Sequence, residues 1–306
     1  MAALDVTAHG VFAIAVTPFK DDGALDLDSV DTMVDFYLGR GVHGLTILGI
    51  MGEAPKLTIP ESVGFARQVI TRVAGRVPVV VGATAPGFAP MRELAEQVMQ
   101  EGAAGVMVAA PSGTRTDGAI LQFYVQLADA LKGVPFVLQD FPQANGVQIP
   151  PSIIRRIAET IPTCVMLKHE DWPGLGKITA IREPAPARRI SILVGNNAVF
   201  LPEELRRGAD GAMSGFSFPE MMVDVIAAHE AGDPNRAGEL HDAYLPLARY
   251  EQQPGVGLAV RKYVLVKRGA IAHATQRMPR LGLTRPDFAD IDALLQRQAR
   301  RLAALG

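Results

Sequence analysis

The sequence predicts an α/β protein, a closed (β/α)8 TIM barrel with a C-terminal helical extension. Short apolar, β-rich runs recur along the first two thirds of the chain, and helical patterns fill the intervals between them. The starts of these runs lie 21 to 34 residues apart, which leaves room for one helix and two loops in each interval. Eight strands in strict alternation with helices favour a closed barrel over an open sheet. The predicted strands are residues 11–16, 44–48, 78–81, 105–109, 135–138, 164–167, 190–194 and 211–213.

The intervals carry helix signals. Apolar side chains recur at i, i+3, i+4, i+7 and i+8 in residues 91–99, which is the period of an amphipathic helix. Residues 58–61 (Thr-Ile-Pro-Glu) form a capping-box pattern, and Asp28 is expected to precede the first helix. These signals place helices between the predicted strands.

Three glycine-bounded turns, at residues 41–44, 102–105 and 208–211, each end a helix and lead into a strand. Glycine at a helix C-terminus adopts the left-handed conformation easily, so these turns are expected at the bottom of the barrel. No Gly-x-Gly-x-x-Gly follows the first strand, which removes the main nucleotide signature of an open doubly wound sheet.

Helical patterns alone follow residue 218. They cover residues 219–231, 234–250, 257–268 and 285–305, the last opened by a capping pattern at 284–287. We therefore expect a barrel over residues 1–230 and a helical extension over residues 231–306 that packs on it, since no flexible linker separates them.

Composition excludes several classes of function. A net charge of -2 and a pI near 6.3 provide no electrostatic footprint for nucleic acid or an anionic membrane. The single cysteine, Cys164, fits a reducing compartment, and neither a signal peptide nor an apolar run of eighteen residues is present. The sequence thus predicts a cytoplasmic protein that binds a small molecule.

In a barrel of this kind the active site lies at the C-terminal ends of the strands. The histidines other than His169 fall in turns or helices away from these ends, and Cys164 begins its strand, so neither a metal site nor a cysteine nucleophile is expected, and no cofactor is predicted. The residues at the strand ends are Thr17, 49–53, Gln139, Asp140, 168–170, 195–197, Ser214 and Gly215.

Lys168 ends an apolar run, where a lysine is uncommon unless its ammonium is paired or reactive. A lysine amine there can attack a carbonyl and form a Schiff base, with Glu170 as its acid/base partner. The alternative from this stretch alone is a surface ion pair between Lys168 and Glu170 or Asp171.

The turn at residues 49–53 (Gly-Ile-Met-Gly-Glu) follows the second strand. Its glycines allow backbone N–H groups to approach a substrate carboxylate closely, although a tight turn without a ligand is the open alternative. Glu53 fits a structural hydrogen-bond acceptor better than a catalytic group. Gly195, Asn197 and Ser214 are candidate substrate-binding residues, and the last two could equally satisfy loop backbone.

Four motifs in order resemble one known family, the dihydrodipicolinate synthase / N-acetylneuraminate lyase family, over essentially the whole chain. They are residues 17–19 (Thr-Pro-Phe), 49–53, Lys168 and residues 208–211 (Gly-Ala-Asp-Gly). The resemblance implies a class I enzyme that forms a Schiff base between Lys168 and a 2-keto acid, with the 49–53 turn holding the carboxylate. It also implies a homotetramer.

The departures from the family pattern are informative. Ile50 and Met51 replace two hydroxyl residues, so carboxylate binding is expected to rest on the backbone N–H groups of Met51 and Gly52. Gln139 replaces the tyrosine of a Tyr-x-x-Pro pattern, and residues 112–113 (Ser-Gly) replace a further tyrosine pair. The usual tyrosine–threonine proton relay is therefore absent, and glutamine cannot titrate.

A replacement acid/base is needed, and Glu170 is the best candidate because strand alternation places it on the same side as Lys168. Asp140 and His169 alternate away from this side. The combination of residues 139–142 (Gln-Asp-Phe-Pro), 168–170 (Lys-His-Glu) and 49–53 resembles one branch of the family, the L-2-keto-3-deoxyarabonate dehydratases. This resemblance implies a hydro-lyase that gives 2-oxoglutarate semialdehyde and water. A pyruvate-dependent aldolase and a non-catalytic keto-acid-binding barrel are the alternatives.

Overall fold

A computed structural model describes residues 3–306 and contains a closed barrel of eight parallel strands in sequence order. This architecture, with helices between the strands and a C-terminal helical extension, confirms the predicted fold class. The first two residues of the predicted barrel unit lie outside the described residues. The strands are β1 (Gly10–Ile14), β2 (Gly44–Ile47), β3 (Val79–Gly82), β4 (Gly105–Ala109), β5 (Phe136–Asp140), β6 (Cys164–His169), β7 (Ser191–Val194) and β8 (Gly211–Ala212).

Every residue of the eight strands is buried, which agrees with the near-continuous apolar runs of the sequence. Alternate side chains form two cores. One fills the barrel interior and includes Phe12, Val80, Met107, Val137 and Met166, while the other lies between the strands and the surrounding helices. The free thiol of Cys164 is buried at the start of β6.

The helices follow the expected order. They are α1 (Leu27–Leu38), α2 (Ile59–Val73), α3 (Phe88–Gln100), α4 (Asp117–Leu131), α5 (Pro142–Asn145), α6 (Pro151–Thr160), α7 (Leu175–Arg182), α8 (Leu201–Leu205), α9 (Pro219–Glu230), α10 (Pro234–Glu251), α11 (Gly257–Lys267) and α12 (Arg285–Leu305). The capping boxes at Thr58 and Thr284 are confirmed. Asp28 does not cap α1; Asp26 does, because its carboxylate accepts the Ser29 N–H and the helix begins one residue earlier than Asp28.

The glycines of the three predicted αβ turns have positive φ angles, 74° at Gly41, 100° at Gly102 and 90° at Gly208. A residue with a Cβ adopts this region with strain, which explains glycine at these positions. Two strands run further than predicted: β5 includes Gln139 and Asp140, and β6 includes Lys168 and His169. Their polar side chains suggest a loop, but the backbone stays in the ladder because each side chain has a buried polar partner.

The extension contacts the top of the barrel. Helix α10 packs against α9 and α12, and Lys262 of α11 donates to the carbonyl oxygen of Thr17, just beyond β1, at 2.8 Å. The division at residue 230 stays a prediction. Among residues 3–306, none of the helices has the length and apolar character needed to cross a membrane.

Candidate active site

A cavity of about 710 Å³ opens at the C-terminal ends of the strands, within the range typical of small-molecule sites. Predicted site residues that line it are Met51, Gln139, Lys168, Glu170, Asn197 and Ser214. Gly49, Gly52 and Gly195 do not line the cavity, but each adjoins a lining residue in sequence. Among residues 3–306 there is no group of three or more His, Cys, Asp or Glu side chains that could hold a metal ion.

Lys168, Glu170 and Gln139 meet in one buried cluster. Lys168 Nζ lies 2.9 Å from Glu170 Oε2, and Gln139 Nε2 donates to the same oxygen at 2.8 Å. Lys168 is 3% exposed and Glu170 is 6% exposed, so both charges are largely removed from water. A buried pair of this kind holds its partners in one geometry, and the shared oxygen fixes Glu170 beside the lysine amine.

Strand register explains this meeting. Gln139 of β5 pairs with Lys168 of β6, and Asp140 pairs with His169. Because successive side chains of a strand point to opposite faces, Gln139 and Lys168 point into the cavity while Asp140 and His169 point outward. There, His169 Nδ1 lies 3.5 Å from Asp140 Oδ2, and Lys177 Nζ lies 2.6 Å from the same atom. The predicted separation of the two sets is therefore present.

Gly195 lets Glu170 approach β7. A Cβ atom at Gly195 would overlap Glu170 Cγ and lie 2.6 Å from Glu170 Oε1. The Gly195 N–H donates to the carbonyl oxygen of His169 at 2.9 Å, which holds the two loops together. The contribution of this glycine is thus space for the carboxylate rather than a side-chain contact.

Residues 50–52 form a single 3₁₀ turn at the end of β2. The Gly52 N–H donates to the carbonyl oxygen of Gly49 at 3.0 Å, so it is already engaged. The first N–H groups of a helical turn have no partner within the turn, and those of Ile50 and Met51 make no hydrogen bond to another described residue. Of the expected donor pair, Met51 and Gly52, the Gly52 N–H is therefore engaged within the turn, and the N–H groups without a partner among the described residues are those of Ile50 and Met51.

Glu53 is a structural residue, as its position suggests. Its carboxylate accepts from Lys262 Nζ at 2.6 Å, Lys56 Nζ at 2.9 Å and the Arg277 N–H at 3.0 Å. Burial lowers the pKa of the Lys262 ammonium to about 8, against the opposing effect of Glu53. The cluster ties the 49–53 turn to the extension.

Asn197 and Ser214 differ in availability. Asn197 Nδ2 donates to the carbonyl oxygen of Ala248 at 3.2 Å, and its Oδ1 accepts from Arg261 Nη2 at 2.6 Å, so both ends of the amide have protein partners. Ser214 is buried against the cavity, and no described residue hydrogen-bonds to its hydroxyl. Ser214 is thus better placed than Asn197 to receive a ligand.

The extension contributes lining residues that the sequence did not indicate, among them Glu251, Gln252 and Arg261. Arg261 Nε donates to Glu251 Oε1 at 2.6 Å. Burial raises the pKa of the Glu251 carboxyl, while Arg261 and Ser217 oppose this shift. The available signal was the pair of basic residues, Arg261 and Lys262, inside an apolar helical run.

The chain is similar to known proteins over nearly its whole length. Residues 7–298 match the dihydrodipicolinate synthetase family. The chain is 30% identical to L-2-keto-3-deoxyarabonate dehydratase of Azospirillum brasilense over 94% of each protein, and 31% identical to 4-hydroxy-tetrahydrodipicolinate synthase of Maridesulfovibrio salexigens over 80% of this chain and 83% of the relative.

A solved structure of dihydrodipicolinate synthase from Rhodopseudomonas palustris is 50% identical in sequence to this chain and superimposes on it with a TM-score of 0.95. The match covers 97% of this chain and 100% of that chain. Both the fold and nearly the full length of the sequence are thus shared with these proteins. The chain therefore belongs to the dihydrodipicolinate synthetase family, whose members are lyases that act on small keto-acid substrates.

Proposed function

We propose that the protein is a Schiff-base dehydratase of a 2-keto-3-deoxy sugar acid, with L-2-keto-3-deoxyarabonate as substrate and 2-oxoglutarate semialdehyde and water as products. The single observation that carries the proposal is the contact of Lys168 and Gln139 with one oxygen of Glu170. It places a carboxyl group beside the amine nucleophile, while position 139, where the family pattern has a tyrosine, carries a glutamine without a titratable group. The similarity to a dehydratase over 94% of the chain supports the same reading.

Lys168 begins the reaction. Its neutral amine attacks the C2 ketone, and the carbinolamine oxygen takes up a proton from solvent and leaves as water, which gives an iminium. The Glu170 carboxylate, 2.9 Å from Lys168 Nζ, stays available to accept the next proton. The substrate carboxylate binds the N–H groups of Ile50 and Met51 at the start of the 3₁₀ turn. The iminium withdraws electrons from C3 and makes its hydrogens acidic.

Glu170 then removes one C3 proton, and the resulting enamine expels the C4 hydroxyl. The carboxyl group that now carries the proton donates it to the leaving oxygen, so water departs and no carbon–carbon bond breaks. Tautomerisation moves the double bond to the terminal carbon, and hydrolysis of the iminium releases the aldehyde and restores Lys168. Gln139 keeps Glu170 oriented throughout by its hydrogen bond.

A second candidate is an aldolase or condensing enzyme that uses the same Schiff base. The 50% identical structure and several relatives near 30% identity carry the name of a dihydrodipicolinate or 4-hydroxy-tetrahydrodipicolinate synthase. Aldol cleavage or condensation requires proton transfer to or from an alkoxide, and Gln139 has no titratable group that could carry out this transfer. This difference favours the dehydratase.

A keto-acid sensor without catalytic activity is disfavoured by the buried contact of Lys168 with an acid/base group.

The test is to incubate the protein with pyruvate or a 2-keto-3-deoxypentonate, reduce with borohydride, and locate the adduct by mass spectrometry. We expect an adduct on Lys168, and an unmodified lysine would overturn both enzyme candidates. Product analysis separates them, because a dicarbonyl acid supports the dehydratase and pyruvate supports the aldolase.

Glu170→Gln tests the acid/base assignment. We expect adduct formation to persist while turnover falls roughly 10²- to 10⁴-fold, the usual contribution of a positioned acid/base group. Arg67→Gln, a change in an ion pair on the surface that does not line the cavity, serves as the control. Near-normal turnover in Glu170→Gln would remove this residue from the mechanism.

We further propose a cytoplasmic homotetramer. The buried free thiol of Cys164 suits a reducing compartment, and family members are typically oligomeric. Size measurement in solution by light scattering tests the tetramer.

A further inference from the structure

Arg261 is the most deeply buried arginine that lines the cavity. It lies on α11 and is 2% exposed. Its Nε donates to Glu251 Oε1 and its Nη2 donates to Asn197 Oδ1, each at 2.6 Å. Two of its three nitrogens are therefore held by the protein, and these bonds fix the plane of the guanidinium.

The third nitrogen, Nη1, is buried and has no hydrogen-bond partner among the described residues. It lies against Gly215, which also lines the cavity, and a Cβ atom at Gly215 would overlap it. A buried charged donor without an acceptor is unfavourable. An acceptor supplied by a ligand in the cavity would remove this penalty.

The surroundings of Arg261 select the kind of acceptor. Glu251 is 1% exposed and offsets the guanidinium charge at 2.6 Å. A neutral oxygen can accept from Nη1 without adding charge, whereas a second carboxylate would bring an uncompensated negative charge next to Glu251. A hydroxyl group therefore fits this position better than an acid group.

The loops that Arg261 contacts show where its Nη1 donor lies relative to the other site residues. The carboxylate-binding turn follows β2, while Arg261 contacts residues that follow β7 and β8, namely Asn197 and Gly215. Asn196, beside Asn197, donates to the carbonyl oxygen of Glu170 at 2.9 Å. The donor thus lies beside the loops after β7 and β8, two to three strands around the barrel from the carboxylate turn, and close to the loop of the acid/base group.

We infer that Arg261 Nη1 donates a hydrogen bond to the terminal hydroxyl of the keto acid, and that it selects a monocarboxylate with this hydroxyl over a deoxy analogue or a dicarboxylate. This inference rests on the proposed function, because it assigns the far end of the same substrate. Arg261 is then a specificity-determining residue in the extension, outside the barrel strands.

The test compares three keto acids: 4,5-dihydroxy-2-oxopentanoate, 4-hydroxy-2-oxopentanoate, which lacks the terminal hydroxyl, and 4-hydroxy-2-oxoglutarate, which is a dicarboxylate. The concentration for half-maximal borohydride trapping on Lys168 is measured for each, and pyruvate normalises every variant for folding. We expect the wild type to prefer the dihydroxy acid over the other two by roughly 10- to 100-fold, as for a hydrogen bond to a charged donor.

Arg261→Lys keeps a cation beside Glu251 but removes the Nη1 donor, and Gly215→Ala keeps the arginine but displaces Nη1. Each should reduce the preference to less than about 3-fold. Arg182→Lys is the matched control, since Arg182 pairs with Asp210 and does not line the cavity, and it should keep the wild-type preference.

The outcomes separate the two proposals. An unchanged preference in both Arg261→Lys and Gly215→Ala overturns the role of Arg261 but leaves the Schiff-base chemistry intact. Tighter trapping of the dicarboxylate by the wild type also overturns it. Absence of any adduct in the wild type, with pyruvate included, overturns the proposed function itself.

Discussion

At the scale of single residues, the site depends on which face of β6 a side chain occupies. Lys168 and Glu170 face the cavity, while His169 faces the surrounding helices beside Asp140. This placement could be predicted from the sequence, because the alternation of a strand is a local property. The role of Gly195 could not be predicted, because its need for space comes from a side chain on another strand.

Gly195→Ala should reduce turnover roughly 10- to 100-fold, because the added methyl group pushes the Glu170 carboxyl away from Lys168. The borohydride adduct with pyruvate should remain, since Lys168 itself does not move. Steady-state kinetics and trapping measure the two effects. Gly176→Ala, at a glycine of α7 with open space around it, is the control, and equal activity of the two variants would contradict the prediction.

Glu204 of α8 is a second residue whose environment changes its chemistry. Burial raises the pKa of its carboxyl to about 8, so the folded state holds a proton that the unfolded chain releases above a pKa of 4.5. The stability of the fold should therefore decrease as the pH rises from about 4.5 to about 8.

Glu204→Gln removes this titration. The free energy of unfolding of the variant is compared with that of the wild type at each pH. The difference between the two proteins should be about 2 kcal/mol larger, in favour of the variant, at pH 8.5 than at pH 6, as measured by urea titrations at both pH values. A gain that does not change with pH would show that Glu204 does not titrate in this range.

At the scale of elements, α11 links the extension to the first two βα loops. Lys262 Nζ is fully buried and contacts Glu53 at 2.6 Å, the carbonyl oxygen of Thr17 at 2.8 Å and that of Thr275 at 2.7 Å. In sequence, Thr17 lies 245 residues, Glu53 lies 209 residues and Thr275 lies 13 residues from Lys262. Contacts over such separations leave no local pattern in the sequence that could predict them. This is why the cavity wall contributed by the extension escaped prediction.

Lys262→Met should lower the free energy of unfolding by about 3 kcal/mol, because it leaves the Glu53 carboxylate buried without its main partner. Lys56→Met removes a more exposed partner of the same carboxylate and should cost less than about 1 kcal/mol. Urea denaturation measures both changes. A second change, Glu53→Gln, should restore part of the loss in Lys262→Met, and full additivity of the two losses would contradict the pairing.

At the scale of the whole molecule, the barrel was predictable because eight buried runs at regular spacing define it, and each run is short and local. The walls at the top of the cavity were harder to predict from the sequence. They combine strand ends with helices α10 and α11, and Arg261 contacts Asn197 across 64 residues of sequence. Such contacts depend on how the extension packs on the barrel.

Cys164 reports on the integrity of the barrel as a whole. It is fully buried at the start of β6, and burial raises the pKa of its thiol to about 12. Alkylation of the native protein at pH 8 should be at least roughly 10³-fold slower than that of the urea-unfolded chain, as measured by mass spectrometry. Rapid labelling without denaturant would indicate that β6 opens locally.

The hydrogen bond from Gln139 to Glu170 also bears on how such a site could have diverged within its family. With glutamine at position 139, loss of Glu170 would leave the amide without its acceptor at 2.8 Å and Lys168 without a neighbouring acid/base group. A glutamine at position 139 is thus expected to occur together with an acid at position 170 among descendants of a common ancestor, and a switch of reaction type would stay active only if the acid at position 170 arose before the tyrosine was lost.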